Sequence, residues 1–183
     1  MAEPAEKRWT VEEFLAWDDG TDRRYELIRG EIVEIALQPE AHGATMGSLG
    51  ALLHDGLERP CRALIRGGVL PPDREDTYYQ ADLLVTCAPP ERGRQYPPAP
   101  VLIAEVVSES TAILDHGRKL DDYRQLSSVK EILLVASEER RVQHWRRDGA
   151  RWVVDDLIGD ADLRLATVAD AIPLGTIYEG SGV

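Results

Sequence analysis

The sequence predicts a mixed α/β or α+β fold, with one central β-sheet flanked by helices. Two observations carry that expectation. The apolar period switches between helical and strand spacing in the order α, ββ, α, βββ, α, βββ. The chain has 183 residues, 43% hydrophobic and 30% charged, which is the size and composition of one folded domain with a buried core. The mixed order also differs from the strict strand–helix alternation of a doubly wound nucleotide-binding sheet.

Thr10 and Glu13 make a capping box ahead of Val11, Phe14, Leu15 and Trp17, so a short first helix is expected. The period then changes: Tyr25, Leu27, Ile32, Val33 and Ile35 around Arg29-Gly30 read as a hairpin over residues 25–37. A second helix follows over residues 39–58, with Met46, Leu49, Leu52, Leu53 and Leu57 on one face to cover a sheet. Three strand-like runs, 63–70, 79–86 and 101–107, supply that sheet, the last two joined by a loop with prolines at 89, 90, 97, 98 and 100. A helix over 112–126, a strand over 131–136 and a hairpin of 142–145 with 152–157 turned by Asp148-Gly149 complete the pattern. The domain is expected to span residues 1–183, with its core at about 10–157.

Charge excludes whole classes of function. Twenty-one Lys and Arg against thirty-three Asp and Glu give a net charge of -12, so the chain as a whole repels polyanions and anionic membranes, and a polybasic binder is excluded. The longest apolar stretches, such as residues 132–136, are far shorter than the ~20 residues a membrane span requires. Residues 1–10 are charged and lack the apolar core of a signal peptide, so a cytoplasmic location is expected. Cys61 and Cys87 lie far apart, with no CxxC pair to suggest zinc and no disulfide framework, and both are expected to be buried free thiols.

Asp82 and Glu105 demand an explanation, because each interrupts an apolar strand where an ionised carboxylate is costly unless paired or bound to a metal. If their strands are neighbours, both acids project into one pocket as hard oxygen ligands for Mg²⁺ or Mn²⁺. An outward-facing acid on a half-exposed strand fits either residue equally well. Lys119 stands on the following helix, where Asp115, Lys119 and Tyr123 recur every four residues along one face. A lysine beside metal-bound carboxylates can stabilise an attacking hydroxide and the charge of a pentacovalent transition state. An ordinary ion pair with Asp115 is the simpler alternative.

Taken together, the segments 25–33 (YELIRGEIV), His42, 81–85 (ADLLV), 105–111 (EVVSEST), Asp115, Lys119 and Tyr123 closely resemble the bacterial Uma-two family of restriction endonucleases, over about residues 10–154. That family belongs to the PD-(D/E)xK nuclease superfamily. The resemblance implies a restriction-endonuclease-like mixed sheet flanked by helices and a Mg²⁺- or Mn²⁺-dependent endonuclease. It makes Asp82 and Glu105 metal ligands, the Val106 carbonyl a third, and Glu26 an additional acid for a second ion or the water. The family's lysine has moved to the following helix, so Val107 takes its usual strand position and Lys119 supplies the ammonium. His42, which matches a family histidine at the start of the long helix, and Tyr123 are accessory candidates. Ala81 departs from the motif's proline, and residues 128–136 match the family's later strand only loosely.

DNA as a partner must be reconciled with the net charge. Residues 1–91 carry 9 basic and 18 acidic side chains, whereas residues 92–183 carry 12 and 15. Arg140, Arg141, Arg146, Arg147 and Arg151 against Asp148 make residues 140–151 locally +4, and His144 and Trp145 share that hairpin. It is a candidate nucleic-acid surface, and equally a charged edge that prevents strand aggregation. The expected DNA affinity is weak and metal-assisted. A homodimer is expected by analogy with nucleases that cut both strands. The competing expectations are a non-catalytic interaction protein on the same scaffold, and a phosphodiesterase acting on RNA or small substrates.

Overall fold

A short N-terminal helix opens the chain in a computed structural model that describes residues 7–108 and 115–183, without the side chains of 115 and 116. This helix, α1 (Val11–Leu15), carries the expected capping box: the Glu13 amide donates to Thr10 Oγ1 at 3.2 Å, and the Thr10 amide to Glu13 Oε2 at 3.0 Å. The hairpin of β1 (Tyr25–Ile28) and β2 (Glu31–Glu34) turns at Arg29 and Gly30, with φ of 53° and 81°. Two successive positive φ values define the tight turn whose twist matches the strands, and they explain the glycine. The hairpin ends at Glu34, three residues short of the expected Leu37.

The central sheet has six strands: β3 (Arg62–Val69), β4 (Tyr79–Thr86), β5 (Pro100–Val107), β6 (Glu131–Ala136), β7 (Arg141–Asp148) and β8 (Arg151–Ile158). They lie in sequence order, antiparallel throughout except for the parallel pair β5–β6. Two long helices cover opposite faces. On one, α2 (Glu40–Gly56) buries Leu49 and Leu53 against Leu83, Val85, Leu102 and Ala104. On the other, α3 (Asp115–Gln125) buries Leu120 and Tyr123 against Tyr79, Leu84, Ile103 and Ile132. Alternation along β5 distributes Leu102, Ala104 and Val106 to the first core and Ile103 to the second, and so turns Glu105 toward α3. The expected helix over 112–126 is present from Asp115, and its first three residues lie outside the described residues.

Two further features differ from the sequence reading. Cys61 and Cys87 form a disulfide instead of two free thiols. The antiparallel pair Arg62↔Thr86 brings the two flanking cysteines side by side, with Cα atoms 3.8 Å apart. The core also continues past Leu157: β9 (Asp162–Leu163), β10 (Ile172–Pro173) and α4 (Leu174–Ile177) place Leu163, Leu165, Val168, Ile172, Leu174 and Ile177 in the cluster beneath α2. Among the described residues, no helix is long and apolar enough to cross a membrane.

Candidate active site

The site forms where β4 and β5 part. Their ladder runs from Thr86↔Pro100 to Leu83↔Ala104. One step further, the Val106 amide donates not to a strand carbonyl but to Asp82 Oδ2, at 2.9 Å. The β1–β2 hairpin is pinned to this end of the sheet by reciprocal backbone bonds between Leu27 and Tyr78, at 2.9 and 2.8 Å. That bridge sets Glu26 beside β4, where its Oε1 accepts the Gln80 amide at 2.8 Å. From α3, Lys119 Nζ donates to the same Glu26 oxygen at 2.7 Å and lies 3.8 Å from Glu105 Oε1. The first turn of α2 contributes His42, whose Nε2 is 3.2 Å from Asp82 Oδ2.

Four elements and the hairpin thus bring Glu26, His42, Asp82, Glu105, Val106 and Lys119 to the wall of one cavity of about 590 Å³. Tyr123 lies behind it and donates to Glu105 Oε1 at 2.6 Å. Lys119 turns to the carboxylates of β1 and β5, so the alternative of a purely intrahelical pair does not account for it; the Asp115 side chain lies outside the described residues.

The electrostatics follow from burial. Glu105 is 3% exposed, and burial pushes its carboxyl up to about 7, with the charges of Asp82 and Glu26 adding to the effect against Lys119 and the Tyr123 hydroxyl. Asp82 goes the other way: burial opposes ionisation, but hydrogen bonds from His42 and the Val106 amide, with the charges of His42 and Lys119, hold it below its ordinary value. Burial would lower Lys119, yet the charges of Glu105 and Glu26 outweigh it and raise its pKa, so the ammonium is fixed in place.

A supporting layer escaped the sequence reading. The Tyr79 ring meets Tyr123 edge-on at 5.7 Å, and its hydroxyl donates to Asp122 Oδ2 at 2.7 Å. Asp122 in turn accepts both 3.0 Å bonds from Arg29 of the hairpin turn. This chain locks the hairpin to α3, and so fixes Glu26 relative to Lys119. The usable signal was the position of Asp122 and Tyr123 next to each other on a helix that already carried Lys119. Also unforeseen are Arg24 and Arg66, which line the same cavity.

The basic hairpin stands elsewhere. None of its arginines lines this cavity, and β7 and β8 are separated from β4 by β5 and β6. Arg141 is bidentate to Asp156 at 2.8 Å, and Arg146 pairs with Asp155 on the neighbouring strand. Arg147 donates to the carbonyls of Val129, Arg124 and Leu126, and Arg140 to that of Val183. His144 is 2% exposed and bonded to Glu131 at 2.9 Å, so it offers no surface for phosphate.

A splayed mixed sheet with carboxylates and a lysine at the parting defines a restriction-endonuclease-like fold. A crystal structure described as a putative nuclease belonging to DUF820, from Anabaena variabilis ATCC 29413, superposes with a TM-score of 0.73 over 93% of this chain and 98% of that one, at 18% identity. The family model Uma2, described as "Putative restriction endonuclease", matches residues 11–175, and the chain belongs to that family. Two uncharacterized proteins of Synechocystis sp. (strain PCC 6803) are similar in sequence. One, sll1609, is 28% identical over 82% of this chain and 88% of its own length; the other, slr1290, is 24% identical over 92% and 90%.

Proposed function

We propose that the protein is an endonuclease that hydrolyses DNA phosphodiester bonds with the help of Mg²⁺ or Mn²⁺. The observation that carries this is the convergence of Glu26, Asp82, Glu105 and Lys119 from separate elements on one cavity, in a chain of a nuclease-like family. The donor set fits a hard divalent cation in kind, since three carboxylates and a backbone carbonyl are all oxygen ligands. The contacts described above use only one oxygen of each: Asp82 Oδ2, Glu105 Oε1 and Glu26 Oε1. As they stand, no three His, Cys, Asp or Glu side chains among the described residues already form a metal cage. The Lys119 ammonium lies between Glu26 and Glu105, where it balances their charge. Asp82 and Glu105 would hold the ion, with Val106 as a third donor and Glu26 serving a second ion or the water. A bound divalent ion supplies Lewis-acid activation of phosphate and lowers the pKa of water.

The chain's own residues do the rest. Lys119 holds a positive charge beside the carboxylates and stabilises the attacking oxygen and the charge that builds on phosphate. His42 and the Val106 amide keep Asp82 ionised and oriented. Tyr123 fixes one Glu105 oxygen. Nicking of supercoiled plasmid in Mn²⁺ tests the reading. The parent is expected to nick it, and Asp82→Asn to lose at least about 10²-fold in rate. A parent that leaves every plasmid intact, or an Asp82→Asn protein as fast as the parent, would overturn it.

A further inference from the structure

Besides Arg118 of α3, two arginines at the cavity have no assigned work. Arg24 precedes β1 and is half-buried; Arg66 lies in β3 and is exposed. Both line the cavity that holds the carboxylates. Neither donates a hydrogen bond or forms an ion pair with any described residue, although Arg23, Arg29, Arg141 and Arg146 each find a carboxylate.

The backbone adds an independent observation. The β3–β4 ladder pairs Ile65 with Leu83 and Gly67 with Ala81, and skips the position between, where Arg66 faces Asp82. Arg66 has φ of 55°, in the left-handed region that a residue with a Cβ enters at a cost of about 1 kcal/mol or more. A non-glycine residue held there, at the register position of Asp82 on the neighbouring strand, is the kind of local strain that accompanies function. Guanidinium groups suit this place because they present several fixed donors to phosphate oxygens and remain charged when partly buried.

We propose that Arg24 and Arg66 clamp a backbone phosphate of the DNA substrate adjacent to the one under attack. This rests on the endonuclease reading above and narrows it: the site takes a polymer with neighbouring phosphates, and the clamp supplies local attraction that the net charge of -12 denies to the rest of the surface. A small diester with a single phosphate would leave the clamp empty.

The test is binding of a short duplex oligonucleotide in Ca²⁺, followed by fluorescence anisotropy over a range of salt. Relative to the parent, Arg24→Ala/Arg66→Ala is expected to bind at least about tenfold more weakly, with the slope of log Kd against log salt reduced by about 2. Arg24→Lys/Arg66→Lys is expected to restore most of the slope, which separates a charge contact from misfolding. Arg92→Ala/Arg164→Ala removes the same charge from exposed positions outside the cavity and is expected to change the slope far less. A parent-like slope in the double alanine variant, an equal loss in the Arg92/Arg164 control, or a parent that does not bind would overturn the clamp. A parent that binds with the arginine-dependent slope yet never nicks DNA would support the clamp and sink the endonuclease reading instead.

Discussion

Replacing Glu105 by Gln should change how stability depends on pH, with a sign set by burial. In the metal-free fold the Glu105 carboxyl is pushed up to about 7, from an ordinary 4.5 in the unfolded chain. Between those values the folded protein keeps a proton that the unfolded chain has lost, so Glu105 contributes stability that is complete below 4.5 and gone once pH has risen through about 7. Each factor of ten in proton affinity is worth about 1.4 kcal/mol, so raising pH from about 5.5 to 8.5 should cost the parent on the order of 2 kcal/mol from this group alone. Urea denaturation in EDTA measures it. The parent should lose about that much more stability over the interval than Glu105→Gln, because the amide keeps the volume and the Tyr123 contact but cannot ionise. Equal pH profiles in the two proteins would mean that Glu105 is not held as a buried carboxyl, and the account of the cavity's electrostatics would fail.

Other perturbations have equally definite outcomes. Tyr123→Phe removes a 2.6 Å donor from the same carboxylate and should cost about 1–3 kcal/mol above pH 7 and less at acid pH, as read by the same denaturation curves. Lys119→Met is expected to lower the plasmid nicking rate by about 10²-fold or more, because it removes the positive charge that sits beside the Glu26 and Glu105 carboxylates. Asp122→Asn breaks the charged link from Arg29 to α3 and should reduce nicking several-fold while Mn²⁺ affinity, measured by calorimetry, stays close to the parent's. A thiol titration of denatured protein should find no free cysteine before reduction and two after, since Cys61 and Cys87 are joined.

What the sequence disclosed depends on whether the cause was local. The capping box of Thr10 and Glu13, the glycine-bearing turn at Arg29-Gly30 and the strand at Glu131–Ala136 all follow from residues a few positions apart. Asp82 and Glu105 were conspicuous because acids are costly in apolar strands, and Lys119 because of its place on the next helix; the cavity brings all three together with Glu26 and His42. Features fixed by pairing register were hidden. The disulfide depends on Arg62 lying opposite Thr86, and the hairpin arginines are occupied because Asp155 and Asp156 fall across from His144 and Gln143 on the adjacent strand. The C-terminal core residues Leu163, Leu165 and Val168 are too scattered to show a helical or strand period, and they are buried by tertiary contacts: β9 pairs with β10, and Val168 bridges to Leu57 at the end of α2. Arg24 and Arg66 are brought to one cavity by topology alone.

The central claim is that Asp82 and Glu105 hold a divalent ion beside Lys119. A crystal soaked in Mn²⁺ and measured at the manganese absorption edge tests it most directly. The expected result is an anomalous peak at carboxylate-ligand distance from both Asp82 and Glu105, with Lys119 on the cavity side and no such peak in Asp82→Asn. An empty cavity at saturating Mn²⁺, or an ion bound elsewhere on the chain, would contradict the claim.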